Sequence, residues 1–209
     1  MPDAATHSQL DQLLQHPALW RGRSAAVQET WATGFAALDQ ALPGGGWPRT
    51  GLIELLIPCH GLGELRLWMP LLARLTQSAT ARWCAFVAPP FELFAPAYAA
   101  FGLRLDKLLI VRAPQPLWAL EQTLVSGACD LSFCWMTHAQ PRDLRRLGLA
   151  TEQGRTPAVI FRPLGAEREA SPAALRIAIE ADPQATGLRL RFIKSRGGKR
   201  GVVDLTLDR

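Results

Sequence analysis

The sequence predicts an α/β fold: a mainly parallel central sheet with helices on both faces, the three-layer α/β/α arrangement, extended by antiparallel strands at its C-terminal end. Three observations carry this. Short, continuously apolar runs alternate with helix-periodic segments, which is how strands covered on both faces read. A glycine-containing turn, IPCHGLGEL at residues 57–65, joins the first such run to a helix. From Leu175 onward the apolar residues alternate with period two, the pattern of strands with two unlike faces.

Taken in order, SQLD at residues 8–11 starts a short helix in which Ser8 caps and Leu10, Leu13 and Leu14 form the apolar face. Pro17 stops it. Residues 31–48 end in three glycines and a proline and read as a lead-in outside the core. Leu52–Ile57 is the first core strand. The helix over 64–76 places Leu65, Trp68, Leu72 and Leu75 on one side, with Pro70 kinking it or marking its first turns. Strands follow at 83–87, 108–111, 131–136 and 158–161. Between them lie helices around 97–101, ended by Gly102, and over 116–126 and 142–153. The alternating strands are 175–179, 188–193 and 202–207, the last two joined by a turn at 196–199. One domain over 31–209 is expected, preceded by a helix and linker over 1–30, with the basic antiparallel extension from about residue 173.

At 209 residues and 48% hydrophobic the chain can bury one full core. No apolar run approaches the roughly 18 residues of a membrane span, and the N-terminus has no signal pattern, so a cytoplasmic protein is expected. Cys59, Cys84, Cys129 and Cys134 fit a reducing compartment as buried structural thiols. Cys129, Cys134 and His138 have poor spacing for a metal site. Net charge is +5, with the excess in RLRFIKSRGGKRG from Arg189. Arg189, Arg191, Lys194, Arg196, Lys199 and Arg200 are therefore candidate contacts for nucleic acid or an acidic partner face.

The turn at 57–65 sits where a nucleotide-binding protein carries its phosphate loop. Such a loop needs a lysine and a hydroxyl after its last glycine, to reach phosphate and hold magnesium. Gly61 and Gly63 are present, but Glu64 and Leu65 follow. A carboxylate aimed at polyphosphate repels it. The magnesium-linked acid that ends a core strand is replaced by Trp135, and the acid that would orient water after the 83–87 strand is replaced by Pro90. No zinc-protease helix, serine elbow or oriented nucleophile pair stands elsewhere. The residues therefore predict no catalysis and no cofactor or metal.

TGFAALD at 33–39, the GGGWPR turn at 44–49, Glu54 in the first strand, and the segment from Tyr98 to Leu109 together resemble the RecA core. With LDQLLQHPALWRG, TGFAALDQALPGGGWPR and GLGELRLWMPLLARL added, the chain more narrowly resembles ImuA, the RecA-like accessory family of SOS mutagenesis. That resemblance implies a RecA-like fold with a degenerate phosphate loop. It also implies a scaffold role in damage-induced translesion synthesis and DNA repair. The implied partners are an ImuB-like Y-family polymerase homologue and an error-prone replicative-type polymerase, with RecA or self-association open. Trp20, Trp31, Trp47 and Trp118 are candidate contact residues. Two other readings stand beside it: a SulA-like division inhibitor that binds FtsZ, from a family that is typically shorter and lacks the basic strand pair, and a single-stranded DNA-binding accessory protein.

Overall fold

A computed structural model describes residues 29–181, 187–195 and 201–207. The predicted N-terminal helix, Trp20, and Arg196, Lys199 and Arg200 with their turn lie outside the described residues.

The strands are β1 (Thr30–Trp31), β2 (Trp47–Pro48), β3 (Leu52–Ile57), β4 (Trp83–Val87), β5 (Leu108–Val111), β6 (Cys129–Trp135), β7 (Ala158–Pro163), β8 (Leu175–Ala181), β9 (Gly187–Ser195) and β10 (Val202–Thr206). The helices are α1 (Ala36–Ala41), α2 (Met69–Gln77), α3 (Ala95–Ala100), α4 (Pro116–Val125) and α5 (Pro141–Gly154). Strands β3 to β10 form one eight-stranded sheet in the order β10-β9-β8-β3-β7-β6-β4-β5. Every pairing from β8 through β5 is parallel, while β8–β9 and β9–β10 are antiparallel. The fold is thus mixed α/β with a mainly parallel sheet and an antiparallel extension.

Both faces are covered, as the apolar runs require. On one, Leu38 and Leu42 of the α1 segment, Leu71 and Leu72 of α2 and Tyr98 of α3 pack on Ile53, Leu55, Phe86 and Phe133. On the other, Leu120 and Leu124 of α4 and Leu144 and Leu147 of α5 pack on Leu52, Cys134 and Ile160. Helix α5 opens with a capping box between Gln140 and Asp143. It closes at Gly154, where a Cβ would lie 1.7 Å from the Leu124 carbonyl oxygen. Only glycine lets the ends of α4 and α5 approach that closely.

The 31–48 segment is not a peripheral lead-in. Leu38 and Trp47 are fully buried, and Trp47 stacks on Trp68 at 4.1 Å. Sequence spacing missed this because an isolated tryptophan in a glycine-proline turn has no periodicity to declare its side. The 64–76 helix is divided: a 3-10 turn over Glu64–Trp68 precedes α2, and Pro70 falls in the first turn of α2, where a missing N–H costs nothing.

The first strand carries a buried charge. Glu54 is fully buried, with Arg176 Nε donating to Oε2 at 2.6 Å and Arg162 Nη1 to Oε1 at 3.3 Å. Arg162 also reaches Glu169 at 2.6 Å. Parallel registry produces this cluster, since Arg176 pairs opposite Glu54 across β3–β8 and Arg162 lies on β7 beside it.

Candidate functional site

The carboxyl ends of the parallel strands converge on one cleft, the usual ligand position of such sheets. Its lining includes Cys59 and His60 after β3, Pro90 after β4, Trp135 at the end of β6 and Arg162 in β7. The positions read from the sequence as a failed phosphate loop and two lost acids thus do meet around one space. That space is about 280 Å³, at the low end for a small-molecule site. Trp135 and Phe161, stacked at 4.7 Å, both line it. No carboxylate or lysine lines it among the described residues, and its one guanidinium is committed to Glu54 and Glu169.

The loop itself is closed by Glu64. Gly61 and Gly63 have φ of 85° and 94°, left-handed values that glycine alone adopts without strain, so the turn explains both. Glu64 does not aim outward as a repelling charge, which corrects the sequence expectation. It is 4% exposed, and Oε1 accepts the Gly61 N–H at 3.1 Å. A backbone donor that a phosphate would need is therefore occupied from within. Burial, and secondarily the Glu64 charge, push the Tyr98 hydroxyl up to about 12.

Exposed aromatic residues follow β4 in the chain. The stretch after β4, APPFELF at 88–94, exposes Phe91 at 64% and Phe94 at 68%, and Phe91 meets the His60 ring edge-on at 6.2 Å. Sequence reasoning passed over them and chose tryptophans. Of those, Trp47 is core, Trp31 is half-buried under Arg49, and Trp118 is 56% exposed on α4. A signal was present: two phenylalanines in a proline-bearing segment that belongs to neither a strand nor a helix pattern.

The basic extension is less available than its composition implied. Arg189 pairs with Asp204 at 2.7 Å across β9–β10. Arg191 is held by Glu167 at 2.7 Å and Glu180 at 3.2 Å. Lys194 Nζ donates to the Ser171 carbonyl at 2.9 Å. The cations along β9 are thus partly neutralised by acids that neighbouring segments bring to them.

Cys84, Cys129 and Cys134 are buried as expected, whereas Cys59 is exposed because the chain has already left β3. Cys129 and Cys134 lie near opposite ends of one strand, β6. Among the described residues no group of three or more His, Cys, Asp or Glu is placed to hold a metal ion. No helix among them is long and apolar enough to cross a membrane.

An α/β domain whose strand-end cleft is lined by aromatic side chains and whose turn is tied by its own carboxylate defines the class. Comparison with known proteins narrows it. No family model matches the chain. It is 34% identical over 102 residues to the cell division inhibitor SulA of Pectobacterium carotovorum, covering 46% of this chain and 59% of that protein. It is 34% identical over 109 residues to SulA of Pectobacterium atrosepticum, covering 50% and 63%. The chain thus spans about three-fifths of the curated relatives it matches. The crystal structure of SulA from Pseudomonas aeruginosa is similar over 54% of this chain and 97% of that one, at 23% identity and a TM-score of 0.45. At that score the two backbones share too little for an argument from fold.

These relatives overturn the resemblance to ImuA. They are division inhibitors, so the translesion and DNA-repair role falls, and with it the ImuB-like and replicative-type polymerase partners. The greater length of this chain does not separate it from SulA either, because the match occupies only about half of it.

Proposed function

We propose that this chain is a non-catalytic inhibitor of cell division in the manner of SulA, made in the SOS response and acting by binding FtsZ. The observation that carries the reading is the 34% identity to SulA over 102 and 109 residues. The closed turn supports the absence of catalysis, since Glu64 holds the Gly61 N–H and the cleft lining carries Trp135 and Pro90 in place of acids. We read the domain as residues 31–209, RecA-like with a degenerate phosphate loop, and residues 1–30 as a leading helix and linker. The contact surface we favour is the aromatic rim of Phe91 and Phe94. Lys194, Arg196, Lys199 and Arg200 remain candidates for an acidic partner face. Direct binding of single-stranded DNA draws less support, because Arg189 and Arg191 already meet carboxylates.

The test is FtsZ polymerisation with GTP, followed by sedimentation, with the purified chain added in increasing ratio. Loss of pelleted polymer near equimolar ratio is the expected result. No effect at a tenfold excess overturns the reading. Calorimetry with ATP and magnesium checks the second half: heat of micromolar binding would refute a closed, non-catalytic site.

A further inference from the structure

A groove of about 350 Å³ opens beside α1, with an apolar wall of Phe35, Met69, Pro70, Phe101 and Leu207. Phe101 stands at it 44% exposed. Arg66 is the one charged side chain in its lining among the described residues, and it has no ion-pair partner among them. We propose that residues 8–16 of this same chain seat in the groove as a helix, with Leu10, Leu13 and Leu14 turned onto the apolar wall and Asp11 paired with Arg66. The proposal is independent of the FtsZ reading.

The chain delivers this segment to the groove. Residues 1–28 lie outside the described residues, and the point where they join the fold is pinned: the Glu29 carbonyl accepts the Arg49 N–H at 3.0 Å, and the Ala32 carbonyl accepts from the guanidinium of Arg74 on α2. Gly34 already lines the groove, packed so closely on Pro70 that a Cβ there would lie 2.5 Å from the proline ring. It follows Glu29 by five residues, about 18 Å of chain at full extension. Residues 17–28 add about 40 Å more, so reach does not limit docking within one chain. A tethered segment also meets its groove at an effective concentration on the order of millimolar, ahead of a free partner at micromolar levels.

Pattern and charge agree with that occupant. Leu10, Leu13 and Leu14 fall at i, i+3 and i+4, one stripe of a helix that Ser8 begins and Pro17 ends. So short a helix does not persist alone in water, and its stripe needs a surface to hold it. Within residues 8–16 Asp11 is the only acid, and there is no lysine or arginine. It flanks the stripe one position after Leu10, which carries its carboxylate along the margin of the groove toward Arg66. Exposed pairs of this kind contribute little energy, so the charge orients the helix and burial of the leucines holds it.

Hydrogen exchange on the full chain tests this. Amides of residues 12–16 should exchange at least about tenfold more slowly than in a chain carrying Leu13→Asp with Leu14→Asp, and a tenfold dilution should leave their rate unchanged, since one chain supplies both surfaces. Phe101→Asp, at an exposed position, should release them to the same extent while holding the thermal melt within about 1 °C. Arg66→Glu should speed their exchange about threefold, and adding Asp11→Arg to it should restore the slow rate. Fast exchange in the unaltered chain, protection that disappears on dilution, or protection untouched by Phe101→Asp overturns the proposal. So does a charge-reversed pair no slower than Arg66→Glu alone. Protection that arises only when FtsZ is added overturns it too, and would give the segment to that partner.

Discussion

Glu54 offers the sharpest test of how this fold is held together. Replacing it with alanine removes the carboxylate to which Arg176 Nε donates at 2.6 Å, leaving two carbonyl contacts, from Ala166 and Glu167, and the nearby Glu167 charge. Arg162 is less affected, because Glu169 still holds it at 2.6 Å. One buried guanidinium thus loses its ion-pair partner, and breaking a buried pair in this way costs about 3–5 kcal/mol. Against a total stability of about 5–15 kcal/mol that is a large share. Urea unfolding should show the midpoint fall with the slope unchanged. Removing all three charges at once, as Glu54→Leu with Arg162→Met and Arg176→Met, should recover most of the loss, since no charge then remains to desolvate. A loss below about 1 kcal/mol for Glu54→Ala, with no gain on completing the triple change, would refute the idea that these charges are dry and interdependent.

Trp47→Ala should cost about 3–5 kcal/mol in the same assay, because the ring is fully buried against Trp68; an exposed lead-in would lose almost nothing. Of the four thiols only Cys59 should react with a disulfide reagent at pH 8: burial pushes Cys84 and Cys134 up to about 12 and Cys129 up to about 11, so they stay protonated as well as shielded. A hydrogen bond from Arg191 holds the Glu167 carboxyl below its ordinary 4.5, so its folded value lies under its unfolded one. Its contribution is then complete above about pH 4.5 and lost as pH falls through the folded value; the stability gap between wild type and Arg191→Met should close over that acid range and stay flat above it. Phe91→Ala with Phe94→Ala should leave the thermal melt within about 1 °C yet weaken FtsZ inhibition at least tenfold, since both rings are mostly in water already.

The α/β class, the order of strands and helices and the antiparallel finish were legible because each rests on local pattern. Leu52–Ile57 is apolar at five of six positions and is buried on both faces; Leu188, Leu190 and Phe192 alternate and are buried alternately. The meeting of Cys59, His60, Pro90 and Trp135 was legible in part, since strand ends of a parallel sheet must gather at one side. What Glu64 does there was not. A sequence says that a carboxylate replaces a lysine, but whether it faces outward or turns back to Gly61 depends on the left-handed glycines around it and on the space beneath Tyr98.

Composition likewise counted the cations of β9 correctly and misjudged their availability. The acids that engage them, Glu167, Glu180 and Asp204, lie 11 to 24 residues away and arrive only through strand registry and the turn after β7. The same holds for Glu54, whose arginines stand 108 and 122 residues further on. Chain-local chemistry fixed which segments would become strands, helices and turns. Which side chains ended up paired, buried or left in water was decided by packing between segments far apart in the chain, because burial and ion pairing are properties of neighbours in space.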